Sequence, residues 1–208
     1  PGATLAQRPV RAQRKINDAR IPFEIPDQTD IEPRLEAVLQ AIYAAYSLSW
    51  QDAQSPDVTR DTASEALYLS TIVSDILPDE AEALGLAALL AFSSARRAAR
   101  LDAQVMHVPI DQQDVRDWDM ALIHRGQFLL KRASAMKMPG RFQIEAAIQL
   151  VHCDRANTGH TDWASIAQLY EGLLALTPNI GAAVARAAAV GHAYGAQAGL
   201  KALATIEE

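Results

Sequence analysis

The chain holds one cysteine among 208 residues, Cys153, so no disulfide can form within it and a reducing compartment is expected. Aromatic residues make up only 6% of the sequence. No apolar run reaches the ~18 residues that a membrane-crossing helix needs, and no signal-peptide pattern opens the chain. These absences predict a cytoplasmic protein without membrane contact. Phosphate-binding loops, dinucleotide-binding glycine patterns and nucleophile elbows are absent as well. His152, Cys153 and His160 do not have zinc spacing; the alternative is that His152 lies near a helix end and Cys153 is a small buried hydrophobe. The carboxylate pairs Asp111 with Asp114 and Asp117 with Asp119 stand where acids favour a helix N-terminus without any chemistry. No catalytic residue, metal or cofactor is therefore expected, and an enzyme is not the reading.

What is present is helix-forming. Forty residues are alanine, the strongest helix former, and 50% of the chain is hydrophobic against 21% charged. That balance suits a folded globule burying roughly 70% of its unfolded surface. Charge is unevenly distributed. Residues 1–20 carry Arg8, Arg11, Arg14, Lys15 and Arg20 against Asp18 alone, a net of +4, which leaves −10 on the other 188 residues. A basic stretch on an acidic body fits the edge of a nucleic-acid-contacting element; a solvated helix end is the alternative. The acidic body should repel DNA, which confines any such contact to the first twenty residues.

Helical periodicity dominates the rest. Thr4 to about Ala19 reads as a helix interrupted near Pro9. Pro22 and Pro26 force an extended linker. A helix is expected from Pro33 with Leu35, Val38, Leu39, Ile42, Tyr43 and Tyr46 on its inner stripe, and another from about Asp61 to Leu77. Pro78 and the acids after it open a third, running to about Arg97, whose small residues permit close packing. Val105 to Ile110 has some strand character and reads as a short hairpin-like excursion or a loop. Asp114 to Asp119 opens a long helix carrying Trp118, and Pro139-Gly140 ends it. A helix around Phe142 to Val151 follows, then one capped by Thr161 or Asp162, then two alanine-rich helices separated near Gly195. The sum is eight or nine antiparallel helices in a layered all-α array.

Trp163, Ile166, Ala167 and Tyr170 have the spacing W-x2-[LI]-[GA]-x2-Y, and Pro178 ends the segment. This fits the first half of a tetratricopeptide repeat, so the C-terminal half is expected to be tetratricopeptide-like; a non-repeat helical hairpin satisfies much of the same spacing. Arg96, Arg97 and Arg100 form a cluster suited to an anion or a partner's acids, with pairing to the body's own carboxylates as the alternative. Trp118 and Trp163 read as core residues.

Motifs in one order along nearly the whole chain carry a family resemblance. Ala6-Gln7-Arg8 with Val10-Arg11-Ala12-Gln13-Arg14-Lys15-Ile16 resembles the end of the promoter-recognising region 4 of extracytoplasmic-function RNA polymerase sigma factors. Ile21 to Pro26 is similar to the segment joining region 4 to a C-terminal extension in the class that ends in a tetratricopeptide-like helical domain. Leu77-Pro78-Asp79-Glu80 through Leu86, Ala95 to Arg100, Phe142 to Ile148, Asp162 to Tyr170, Leu174 to Pro178 and Ala193-Tyr194-Gly195 resemble that extension. The chain departs from the family pattern at Pro9 and at Ala44 to Trp50, where the family has a polar helix end.

The resemblance implies three parts: residues 1–20 as a remnant of the region 4 helix-turn-helix, 21–32 as a proline-rich linker, and 33–208 as an all-helical extension. It implies DNA contact through Arg8, Arg11, Arg14 and Lys15. It further implies a regulatory, partner-binding role in transcription initiation, with RNA polymerase core and the sigma core domains as partners. Promoter DNA would be reached only through an N-terminal part that this chain lacks, so the chain is expected to be a fragment or the product of a truncated reading frame. The alternative is a stand-alone helical-repeat protein that binds a peptide or small ligand.

Overall fold

The computed structural model describes residues 28–51, 56–101 and 106–206. Residues 1–20, including Arg8, Arg11, Arg14 and Lys15, lie outside the described residues, as does most of the expected linker. Among the described residues nine α-helices run in chain order: α1 (Gln28–Gln51), α2 (Pro56–Ile76), α3 (Ala81–Ala95), α4 (Met120–Ala135), α5 (Arg141–Cys153), α6 (Arg155–Thr158), α7 (Trp163–Leu176), α8 (Ile180–Tyr194) and α9 (Ala196–Ala204). Two short 3-10 turns, Ala98–Arg100 and Val115–Asp117, lie between α3 and α4. The fold is an all-α helical array, with no strand among the described residues. The chain divides into two units at Ala37–Val38, and the packing that follows is within residues 38–208.

α3 is the central element. It packs against α2, α4 and α5, and thirteen of its fifteen residues are buried. A helix apolar on every side can only be stable when surrounded, and Leu84, Leu86, Leu90 and Phe92 are fully enclosed. Each contributes roughly 1.5–3 kcal/mol of burial. The small residues expected to let neighbours approach do so. A Cβ on Gly85 would lie 2.8 Å from the backbone nitrogen of Gln143 on α5, and one on Gly126 of α4 would lie 2.7 Å from the Phe92 ring.

The second half is built in sequence: α5 on α7, α7 on α8, α8 on α9. Ile166 and Ala167 of α7 are buried with Ile148, Leu173, Ala182 and Ala189 in one core cluster. Helix starts are capped as the residue types dictate. Asp119 accepts from the Ala121 and Leu122 N–H groups, Asp162 from Ser165 and Asn179 from Ala182.

Several boundaries differ from expectation. α1 begins at Gln28, five residues before Pro33. α2 begins at Pro56, ahead of the expected Asp61, with a proline at its first helical position. The acid-rich stretch before α4 is not the start of that helix. Asp114 instead caps the Val115–Asp117 turn, and Trp118 follows it as a buried loop residue. Of the stretch Val105 to Ile110, Val105 lies outside the described residues; His107 forms one isolated antiparallel bridge with Leu101, and residues 106–110 form no strand.

Candidate partner-binding cleft

α1, α5, α7 and α8 border an open cleft of about 440 Å³. Arg141, Glu145 and Gln149 recur every four residues along α5 and therefore share the face that lines it. Tyr43 of α1, Tyr170 of α7 and Asn179 at the start of α8 complete its polar walls. Arg141 is held on all sides. Its Nε donates to Glu145 Oε1 at 2.7 Å and its Nη1 to Gln40 Oε1 at 3.3 Å. Its guanidinium carbon lies 5.0 Å from the Tyr43 ring centroid and 5.4 Å from that of Phe142, within cation–π range. Burial, and then the Glu145 carboxylate, push the phenols of Tyr43 and Tyr170 above their ordinary pKa, so both stay protonated donors. Chemically the cleft offers an internally neutralised ion pair, phenol hydroxyls and amides. That inventory suits a polar segment of another chain better than a reacting group.

Gln149 links this cleft to the arginine cluster. Its Oε1 accepts a hydrogen bond from Arg96 Nη2. Arg96, one of the three arginines that the sequence offers for an anion or a partner's acids, stands at the C-terminus of α3 with 3% of its surface exposed. Burial pushes its pKa down, Cys153 and Tyr46 oppose that, and Arg155 adds to it. Arg97 is half-buried. Arg100 Nη2 donates to the Ser93 carbonyl, and burial pushes the Arg100 guanidinium down to about 10, against the influence of Tyr46. The three arginines therefore do not form one open patch, because Arg96, as the C-cap of α3, is buried with the helix. Arg96 is not ion-paired either: among the described residues the ion pairs are Arg116 with Asp114, Arg141 with Glu145 and Arg186 with Glu171.

Arg155 is a residue that sequence reading missed. Its Nη2 donates to the carbonyls of Ile110 at 2.9 Å and Gln113 at 2.7 Å, and its Nη1 to that of Asp111 at 3.2 Å. It thereby holds the loop before the second 3-10 turn. Its guanidinium carbon lies 5.1 Å from the Trp118 ring centroid, while that of Arg96 lies 6.0 Å from the same ring. His152 and Cys153 are buried as the alternative to metal binding required. Burial, then Arg96 and Arg155, lower the His152 pKa to about 4, while burial raises that of Cys153. The His152 ring meets the Trp163 edge at 5.4 Å, and Trp163 stacks on His192 at 4.1 Å. The Arg141–Glu145 pair was legible as an i,i+4 match after the Pro139-Gly140 break. Tyr43 and Tyr170 were legible only as apolar-stripe residues.

Comparison with known proteins gives a family and a relative. Residues 34–134 match a family of unknown function, DUF6596. The chain is similar to an uncharacterized protein of Rhizobium meliloti (strain 1021), at 35% identity over 199 residues. That alignment covers 95% of this chain and 47% of the other, so the chain spans about half the length of the curated relative it matches. No solved structure matches it. No helix among the described residues is long and apolar enough to cross a membrane.

Proposed function

We propose that the chain is the regulatory, partner-binding C-terminal domain of an extracytoplasmic-function RNA polymerase sigma factor, acting in transcription initiation. The observation that carries this reading is the ordered resemblance from Ala6 to Gly195. Three further features support it. The charge changes sign where region 4 would end, the described residues form a helical array with a polar cleft, and the matched relative has room for sigma domains beyond the aligned part. In this reading the cleft between α1, α5, α7 and α8 meets the sigma core domains or RNA polymerase core. Promoter DNA is contacted by the sigma domains ahead of residue 1, with Arg8, Arg11, Arg14 and Lys15 at their edge. In-vitro transcription by the complete sigma protein, with and without residues 21–208, tests it. A change in promoter-dependent transcript on deletion is expected, and unchanged transcription would overturn the regulatory role.

A second reading rests on the cleft alone: a helical-repeat module that binds a peptide by itself. It predicts peptide capture by residues 28–206 with no polymerase involvement.

A further inference from the structure

Native proteins leave few buried polar atoms without a partner, and each exception calls for an explanation, often a water or an ion. Among the described residues seven buried side-chain nitrogen or oxygen atoms have none. Six of them belong to one neighbourhood: Arg96 Nε and Nη1, Gln113 Oε1, Trp118 Nε1, His152 Nδ1 and Arg155 Nε. These residues come from three places in the fold. Arg96 ends α3, Gln113 and Trp118 flank the second 3-10 turn, and His152 and Arg155 lie at the α5–α6 junction. They converge on Trp118, beside whose ring both guanidiniums lie.

The chemistry of the six atoms selects the missing partner. Four are obligate N–H donors: both from Arg96, one from Arg155 and one from the Trp118 indole. One, Gln113 Oε1, is an acceptor, and His152 Nδ1 takes either part according to its tautomer. A water molecule accepts two hydrogen bonds and must donate two others, so waters alone suit a balanced set of donors and acceptors. This set is donor-rich. It also carries two positive charges whose hydrogen-bond partners are neutral: a glutamine oxygen for Arg96 and three backbone carbonyls for Arg155. The C-terminal end of α3 offsets about half a charge at Arg96. Among the described residues no carboxylate acts on Arg96, whereas half-buried Arg155 has Asp114 within electrostatic reach; a buried guanidinium without a counter-charge, as at Arg96, is strongly unfavourable.

We propose that the cluster of Arg96, Trp118 and Arg155 is a binding site for a small oxyanion, of the phosphate, sulfate or carboxylate kind. Arg96 supplies the two buried N–H groups, Trp118 and Arg155 one each, and Gln113 and His152 border the site. The anion would tie α3, the loop held by Arg155 and the α5–α6 junction together. It would also reach the partner-binding cleft through Gln149, which Arg96 holds from behind. The inference does not depend on the sigma-factor reading.

The test is thermal unfolding of the full chain at fixed ionic strength, titrating phosphate, sulfate or acetate against chloride. A rise on the order of 5 °C near saturation is expected for at least one of them. Phosphate or sulfate acting alone points to a tetrahedral ligand; acetate acting points to a carboxylate. Arg96→Met should abolish the rise. Trp118→Phe keeps the ring, removes the indole N–H and should weaken anion binding about five- to tenfold, which preserves the test if Arg96→Met fails to fold. Two results overturn the proposal. One is a response no larger than that of chloride for every anion. The other is an undiminished rise in Trp118→Phe, or in a folded Arg96→Met protein, which would place the anion elsewhere.

Discussion

Glu82 of α3 caps α5, sixty residues further on: its Oε2 accepts the Phe142 backbone N–H at 2.8 Å and its Oε1 that of Gln143 at 3.1 Å. Oε1 also accepts from the Gln143 side chain at 3.2 Å. The first N–H groups of α5 have no partner within their own helix, and the Gly140 N-cap has no side chain to supply one. Glu82→Ala should therefore destabilise the protein by about 1–2 kcal/mol, and Glu82→Gln by less, read from urea unfolding. A Cβ on Gly140 would lie 2.2 Å from the Glu82 Cδ, so Gly140→Ala should displace the same cap. The two losses should be non-additive in a double-mutant cycle, because each removes one shared interaction.

Glycine replacements should separate close packing from helix propensity. Gly126→Ala drives a methyl group into the Phe92 ring and should cost about 1–3 kcal/mol. Gly172→Ala, on α7, meets its first neighbour, Ile144 Cδ1, at an ordinary 3.7 Å. There the propensity gain applies, and stability should rise by up to about 1 kcal/mol. Melting curves of the two variants check both signs.

His152 makes stability depend on pH in a defined window. Its folded pKa is about 4, against 6.5 for a free histidine, because burial and then Arg96 and Arg155 oppose its charge. Between these values the unfolded chain binds more protons, so stability falls as pH drops from 6.5 towards 4. The contribution, present in full above 6.5, is roughly 3 kcal/mol. His152→Leu should flatten that part of the profile. An unchanged slope in the variant would assign the dependence to other groups.

Cys153 should behave as an inert thiol. It is buried and burial raises its pKa, so little thiolate exists at neutral pH. Labelling by a disulfide reagent should be slow in the native protein and should follow unfolding as urea is added.

The fold was legible to the extent that periodicity controls it. Leu39, Ile42 and Tyr46 of the α1 stripe, and Ile166, Ala167 and Leu173 of α7, are buried as their spacing requires, whereas Val38 of the α1 stripe is exposed. Proline, glycine and capping acids marked the starts of α7 and α8 closely. The stretch before α4 was misread because Asp114 and Asp119 both look like helix caps, and only the second one caps an α-helix. Glu82 was legible as an acid favouring its own helix, yet its strongest contacts are to α5, which no local pattern encodes. Arg96 shows the same limit. Three arginines in five residues suggest an anion or partner contact or pairing with the body's own carboxylates, but their spacing does not show that the first of them, the C-cap of α3, is buried and without an ion pair among the described residues. The cleft was hidden because its residues are spread over four helices, and each looked ordinary on its own helix.

The most direct measurement is a pull-down of RNA polymerase core by the complete protein, with and without residues 21–208. The sigma-factor reading predicts that core polymerase is retained by the complete protein, with retention or transcript yield altered when the helical domain is removed. Retention of polymerase by neither form would contradict it.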